Sequence, residues 1–351
     1  MSIYPTPQTH RLFLLLFFLK LFFLHIPAFG QIETEELGYF HDIIQVHEID
    51  SSTIAIVSNG GTYHVTIYSL DEKEVISNLI RNGRGPGEIT QAEASLLEHT
   101  DEGTILHVKD FAGKFVSVNL DNEQVVNEVQ TTLIQNSHLS RIDGHFIFSK
   151  RIVLPALQVA MVDKIDVGYI VDDETFQVAD TIRLPAHELD ISDTSNLNRL
   201  NEGTHIRLDT YLVSLSNDEY LLGVQGNSSL FFFSGGKLSE KAELNVNNTG
   251  KIEVVRNDAY GYGLRIPGIL NNVYHVDKNK NTVHFSSDQQ VIGNSPQIIS
   301  VSHSQDGLSV EYESLDGADH LSYRLMIYKL SRGYVMHDRA VNRSSYLYLF
   351  Q

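Results

Sequence analysis

Apolar and polar residues alternate in short runs that recur about every 50 residues, the spacing expected of repeated antiparallel sheets rather than helices. The clearest runs are Val65–Ser69, Phe115–Asn119, Val167–Val171, Leu230–Ser234, Thr282–Ser286 and Arg324–Tyr328. A second apolar run precedes each of them: Ile54–Val57, Ile105–Val108, Phe146–Ser149, Tyr220–Gly223, Val273–Val276 and Leu308–Tyr312. Before these stand short polar turns at Asp50–Ser52, Asp101–Gly103, Asp143–Gly144, Asn217–Asp218, Asn271–Asn272 and Asp306–Gly307. Asp, Asn and Gly tolerate the left-handed backbone of tight hairpins. The pattern therefore predicts six repeats, each a four-stranded antiparallel blade, in an all-β, six-bladed β-propeller.

Two repeats depart from the rule, with insertions at Arg151–Lys164 and Leu315–Asp319. A polar connection, Pro185–Gly203, links the third and fourth repeats and reads as either a lid on one rim or a loop hanging in solvent. No apolar spacing of three and four residues lasts for three helical turns, and no linker divides residues 31–351, which are read as one domain. Closure of the ring is expected to use a terminal strand, Tyr346–Phe350 or Tyr39–Val46, completing a blade begun at the other end.

The first 30 residues lie outside the repeat. Arg11 precedes an apolar run that Lys20 interrupts, and Ala28-Phe29-Gly30 offers small residues where a signal peptidase reads, so this segment is read as a secretory signal cleaved before Gln31. The competing membrane anchor would need about 20 uninterrupted apolar residues, and Lys20 and His25 break the run. The chain has no cysteine, which removes disulfides, thiolate metal sites and a lipoprotein anchor, and leaves a soluble periplasmic or secreted protein as the expectation. Its formal charge of −18 disfavours nucleic acid and anionic membranes as partners.

The most distinctive short motif is Arg81-Asn82-Gly83-Arg84-Gly85-Pro86-Gly87-Glu88, between the fourth strand of the first repeat and the first strand of the second. Gly83, Gly85, Pro86 and Gly87 can be neither helix nor regular strand, so the segment is a structural turn from which Arg84 and Glu88 project. It lacks the following helix and the Lys-Ser/Thr ending of a phosphate-binding loop. Two readings remain: an anion-binding nest beside Arg84, or a turn packed between blades with Arg84 and Glu88 paired or bonding backbone groups.

With the strands Ile105–Asp110 and Phe115–Asn119 that follow, this turn resembles the Gly-x-Gly-Pro-Gly-Glu turn of the exported TolB-like six-bladed propellers. Ile89-Thr90 stands where that family more often has an aromatic residue. The resemblance implies an exported propeller and brings no catalytic residues with it.

Sixteen histidines invite a metal site, yet none forms His-x-His or His-Glu-x-x-His. Asp110 and Asp277, read as corresponding strand ends, are the candidates for an oxygen site in the channel taking Ca²⁺ or Zn²⁺, or else they cap their turns. No cofactor is expected. A Gly-x-Ser-x-Gly elbow is missing, and without tryptophan carbohydrate stacking would rest on Tyr260 and Tyr262. Sequons at Asn227, Asn247 and Asn342 are near chance frequency. The leading expectation is an exported, monomeric, non-catalytic scaffold that binds a protein partner or a small ligand at one face, with Arg84, Glu88, Asp110 and Asp277 as candidate binding residues. The alternative is a hydrolase or lyase with an acidic or metal-dependent site at the channel mouth.

Overall fold

The computed structural model describes residues 34–191, 197, 199–200, 203–216, 218–244, 251–257, 261–266, 272–277, 281–286, 297–314, 325–339 and 344–350. The expected signal segment, the insertion Leu315–Asp319 and Tyr260 lie outside them. Among the described residues no helix is long and apolar enough to cross a membrane.

Strand β1 (Thr34–His41) comes first and is followed by a blade of consecutive strands, β2 (Ile43–Asp50), β3 (Thr53–Ser58), β4 (Tyr63–Ser69) and β5 (Glu74–Arg81). The second blade is β6 (Ala92–Thr100), β7 (Gly103–Asp110), β8 (Lys114–Asn119) and β9 (Gln124–Gln130). The third begins with β10 (Asn136–Ile142) and β11 (His145–Lys150). After an insertion carrying β12 (Ile152–Pro155), it ends with β13 (Lys164–Asp172) and β14 (Val178–Pro185). Strand β15 (His205–Leu208) leads into the fourth blade, β16 (Thr210–Ser216), β17 (Glu219–Val224), β18 (Ser229–Ser234) and β19 (Lys237–Glu243). A ribbon of β20 (Glu253–Asn257) and β21 (Gly261–Arg265) precedes the fifth, β22 (Asn272–Asp277), β23 (Thr282–Ser286), β24 (Gln297–Ser304) and β25 (Gly307–Ser314).

The remaining strands, β26 (Leu325–Leu330), β27 (Gly333–Arg339) and β28 (Ser344–Phe350), form a further four-stranded sheet only by recruiting β1 from the other end of the chain. Pairing runs from Thr34 opposite Phe350 to His41 opposite Ser344. Closure by a terminal strand is thus as expected, with both candidate segments taking part: Tyr346–Phe350 lies in β28, and Tyr39–His41 in β1.

The protein is an all-β propeller with four-stranded blades, but the expected count of six blades is corrected. Among the described residues five blades are built of consecutive strands, and the remaining four-stranded sheet is the closing one, shared between the two ends of the chain. The two segments assigned to the sixth repeat belong to different sheets: Leu308–Tyr312 is part of β25, the outer strand of the fifth blade, while Tyr328 lies in β26. The assignment slips at the fifth repeat, where Val273–Val276 and Thr282–Ser286 are the first and second strands, not the second and third. Apolar alternation marks a strand without giving its place in a sheet, and a shift of one strand therefore leaves the sequence pattern intact.

The physical logic is visible in burial. Middle strands have sheets on both faces and read as near-continuous apolar runs: in β3 and β18 nearly every residue is buried, whereas the outer strands β5 and β9 are largely exposed. Neighbouring sheets interdigitate through separate cores. Val57, Val65, Leu106 and Val116 pack between the first two blades, Phe115, Phe146 and Phe148 between the second and third, and Tyr211, Leu230, Phe285 and Ile299 between the fourth and fifth.

The connection Pro185–Gly203 does not hang free where it is described. Leu189, Leu197 and Leu200 are buried with Ile152 of β12 and Ile206 of β15, which pair as a two-stranded ribbon over the third and fourth blades.

At the closing sheet, Leu347, Leu349 and Val335 pack against Ile54, Ile56 and Tyr68 of the first blade, and the Tyr68 hydroxyl donates to the Leu37 carbonyl at 2.8 Å. Truncating Leu347→Ala should cost about 2–5 kcal/mol as read by urea denaturation, and should lower the midpoint for the whole domain in one transition. A separate early transition confined to the chain ends would show that closure is not coupled to the blades.

Candidate functional site

The innermost strands lie side by side around a channel: β2 against β6, β6 against β10, β10 against β16, β16 against β22, β22 against β26, and β26 back against β2. The residues picked out from sequence sit around its rim, and the structure gives most of them a supporting job.

In the glycine turn, the Gly83 amide donates to the Ile89 carbonyl at 2.8 Å and the Gly85 amide to Oε2 of Glu88 at 2.8 Å. The Glu88 carboxylate folds over Gly83, where any Cβ would collide with it. Gly87 has φ of +69° and donates its amide to Oε2 of Glu128, on β9, at 2.5 Å. Lys114 of β8 donates to the Gly85 carbonyl at 2.6 Å and pairs with Oε1 of Glu128 at 2.8 Å. Lys114 and the Gly87 amide hold the Glu128 carboxyl below the usual range. The amides of Gly85 and Gly87, which could have formed an anion nest, are thus filled by the protein's own carboxylates, and the turn clamps the first blade to the second. Arg84 is exposed and pairs with no described residue, so it and Glu88 do not form the ion pair the spacing allowed.

Asp110 is 2% exposed and caps the turn after β7. Its Oδ1 accepts from the Lys114 amide at 2.7 Å and its Oδ2 from the Thr90 hydroxyl at 3.2 Å. Asp277 is not its counterpart. Asp110 ends a second strand and Asp277 a first strand, and antiparallel neighbours end on opposite sides of a blade. The two strand ends expected together therefore lie on opposite sides of their blades. No group of three or more His, Asp or Glu among the described residues is arranged to hold a metal ion. Tyr262 is exposed beneath the Arg199 guanidinium, 5.8 Å from its ring centre, and Asn227 is buried with its amide donating to the Glu188 carbonyl at 2.9 Å.

In the channel the innermost strands line an open cavity of about 570 Å³ whose walls include Gln45, His47, Glu98, His138, Ser140 and Arg141. His47 and His138 are desolvated, and their pKa values fall to about 3 and about 4, His47 being pushed down further by His138. His47 shares a 2.8 Å hydrogen bond between Nε2 and the Ser95 hydroxyl.

Beside them runs a charged chain. Oε2 of Glu98 accepts from Nη1 of Arg141 at 2.8 Å and lies 3.0 Å from Nε2 of His107, whose Nδ1 is 2.8 Å from the Ser117 hydroxyl. Arg141 also pairs with Asp173 and covers the Phe146 ring at 5.1 Å. Burial raises the Glu98 pKa, but the hydrogen bonds from His107 and Arg141 outweigh it and leave the carboxyl below its ordinary range. Glu98 and Arg141 also line a second cavity of about 510 Å³ between the second and third blades.

Sequence reasoning missed these residues because it located second and third strands and left the first strands unread. A signal was present: polar residues at alternate positions, Gln45 and His47, His138 and Ser140, just before the polar turns.

No family model matches the chain, and no curated protein matches it. Solved structures do. "Structure of U3-55K" superposes with a TM-score of 0.50 at 10% identity, covering 91% of this chain and 98% of that one. The Myceliophteria thermophila Cps50 (Swd1) beta-propeller domain gives 0.45 at 11% identity over 91% and 100% of the two chains. Kuenenia stuttgartiensis hydrazine synthase gives 0.43 at 14% identity over 90% and 80%. The last two are too loose a match to bear on the argument, and the first speaks to fold alone: a β-propeller.

Two predictions follow from this geometry. Gly83→Ala displaces the Glu88 carboxylate from the Gly85 amide and should cost about 1–3 kcal/mol, measured by denaturant unfolding; Arg84→Ala should leave stability unchanged. The histidines give a pH dependence whose sign is fixed. Below the ordinary value of about 6.5 the unfolded chain binds protons that His47 and His138 refuse until about pH 3 and 4. Their contribution is therefore complete above that value and lost progressively as pH falls through this window. The urea midpoint should drop between pH 7 and pH 5, and less steeply in His138→Gln; equal slopes would contradict the assignment.

Proposed function

We propose that the protein is an exported, monomeric, non-catalytic propeller that binds a small molecule in the cavity of its central channel. One observation carries this reading: His138, almost wholly buried, lines the cavity and hydrogen-bonds to no described residue. A polar ring that reaches the cavity and makes no bond to the protein is free to bond water or a ligand there. The cavity's volume also falls in the range of small-molecule sites. Export rests on the leader-like first 30 residues, and kinship with the TolB-like propellers rests on the turn Arg81–Glu88. The rim residues serve the scaffold in this reading, with Arg84 the one left exposed to a protein partner.

A second reading, a hydrolase, is favoured by the chain Ser117–His107–Glu98, in which a hydroxyl, an imidazole and a carboxylate stand within hydrogen-bonding distance. Against it, Ser117 is buried in mid-strand.

A thermal-shift screen of neutral, anionic and cationic small molecules separates the readings. Binding in the channel predicts compounds that raise the melting temperature of the wild type and not of Gln45→Trp, which places an indole at a half-buried position of the cavity wall. No stabilising compound, or the same shift in both proteins, would contradict it. Ester turnover abolished by Ser117→Ala would favour the hydrolase.

A further inference from the structure

We infer that the ligand is an uncharged molecule bearing hydroxyl groups, held by hydrogen bonds from His138, Gln45 and the free ring nitrogen of His47; this deepens, and rests on, the reading of the channel as a ligand site.

The charged pair in the wall, Glu98 and Arg141, is engaged. Glu98 is held by Arg141 and His107, Arg141 by Glu98 and Asp173, and Glu48 accepts the Ser331 amide at 2.9 Å. Lys329 lies over the Tyr334 ring, 6.0 Å from its centre. Away from the exposed Lys329 and half-buried Glu48, whose charges water screens, an anionic ligand would have to draw Arg141 away from two carboxylates, and a cationic one would have to take Glu98 from its two donors. Breaking a partly buried pair in this way leaves a charge without its partner, which is more costly than the new contact is favourable.

Apart from the exposed Lys329, the unengaged capacity belongs to neutral groups. His138 is 6% exposed and neither it nor Gln45 hydrogen-bonds to any described residue. His47 uses Nε2 on Ser95 and keeps Nδ1. A neutral imidazole offers one donor and one acceptor, and a primary amide offers both kinds. A hydroxyl, itself donor and acceptor, satisfies either nitrogen of a ring without demanding a particular tautomer. Between these polar groups the wall is apolar, with Leu96, Leu139 and Val213, matching the C–H faces of a polyol or sugar rather than a fully solvated ion.

Titration calorimetry of the full chain tests this with four probes: glucose and maltose as uncharged sugars, gluconate and glucosamine as charged counterparts. An uncharged sugar should give saturable heat, weakened about tenfold in His138→Leu and in Gln45→Leu, as loss of a hydrogen bond to a buried polar site requires. Gluconate and glucosamine should bind about tenfold more weakly than glucose or not at all. The inference is overturned if a charged counterpart binds at least as tightly as the uncharged sugars, if neither uncharged sugar binds, or if both variants bind like the wild type. A charged probe whose binding disappears in Gln45→Trp would overturn the ligand class alone and leave the channel as the site.

Discussion

A sheet with two apolar faces must be covered on both, and in this chain each blade is covered by its neighbours around the ring. The pairing of β1 with β28 removes the exposed faces and edges that an open row of blades would leave. Thr34–His41 completes a sheet whose other three strands come from the last part of the chain, and Leu37, Leu347 and Leu349 seal it against the first blade. Each fully buried aliphatic or aromatic side chain contributes about 1.5–3 kcal/mol. Opening the ring at one point would expose an apolar face on both sides of the gap.

Closure also explains where charge and polarity are placed. Around the rim, carboxylates are absorbed by backbone amides: Glu88 by Gly85, Glu128 by Gly87, and Asp110 by Lys114. These contacts join turns to adjoining strands and hold the blades in register. In the channel, Arg141 draws Glu98 and Asp173 together, while His47 and His138 stay neutral because the surrounding strands exclude water. The result is a cavity in an acidic protein whose wall carries neutral groups, His138 and Gln45, that hydrogen-bond to no described residue.

Much of the architecture was legible in the sequence, because strand alternation and Asp/Gly turns are local properties. The hairpins β3–β4, β7–β8 and β17–β18 fall where the pattern placed them. The insertion after β11 was legible for the same reason. Blade membership was not, since it depends on which strands meet in space, and the slip at Val273–Val276 carried Asp277 to the wrong side of its blade. The turn Arg81–Glu88 was recognised as structural, yet its clamp partners Lys114 and Glu128 are 26 to 47 residues away along the chain and unmarked by spacing. The channel residues were hardest to see. Gln45, His47 and His138 gain their meaning only when innermost strands from separate blades face one cavity.

The central claim is that the closed ring holds an unpartnered, neutral histidine against an internal cavity. Nitrogen-15 NMR of the His138 ring, followed from pH 7 to pH 4, tests it most directly. The account predicts a neutral imidazole persisting to about pH 4, with nitrogen shifts that move when a channel ligand is added. A ring that titrates near 6.5 like a solvated histidine, and does not respond to any ligand bound by the protein, would contradict it.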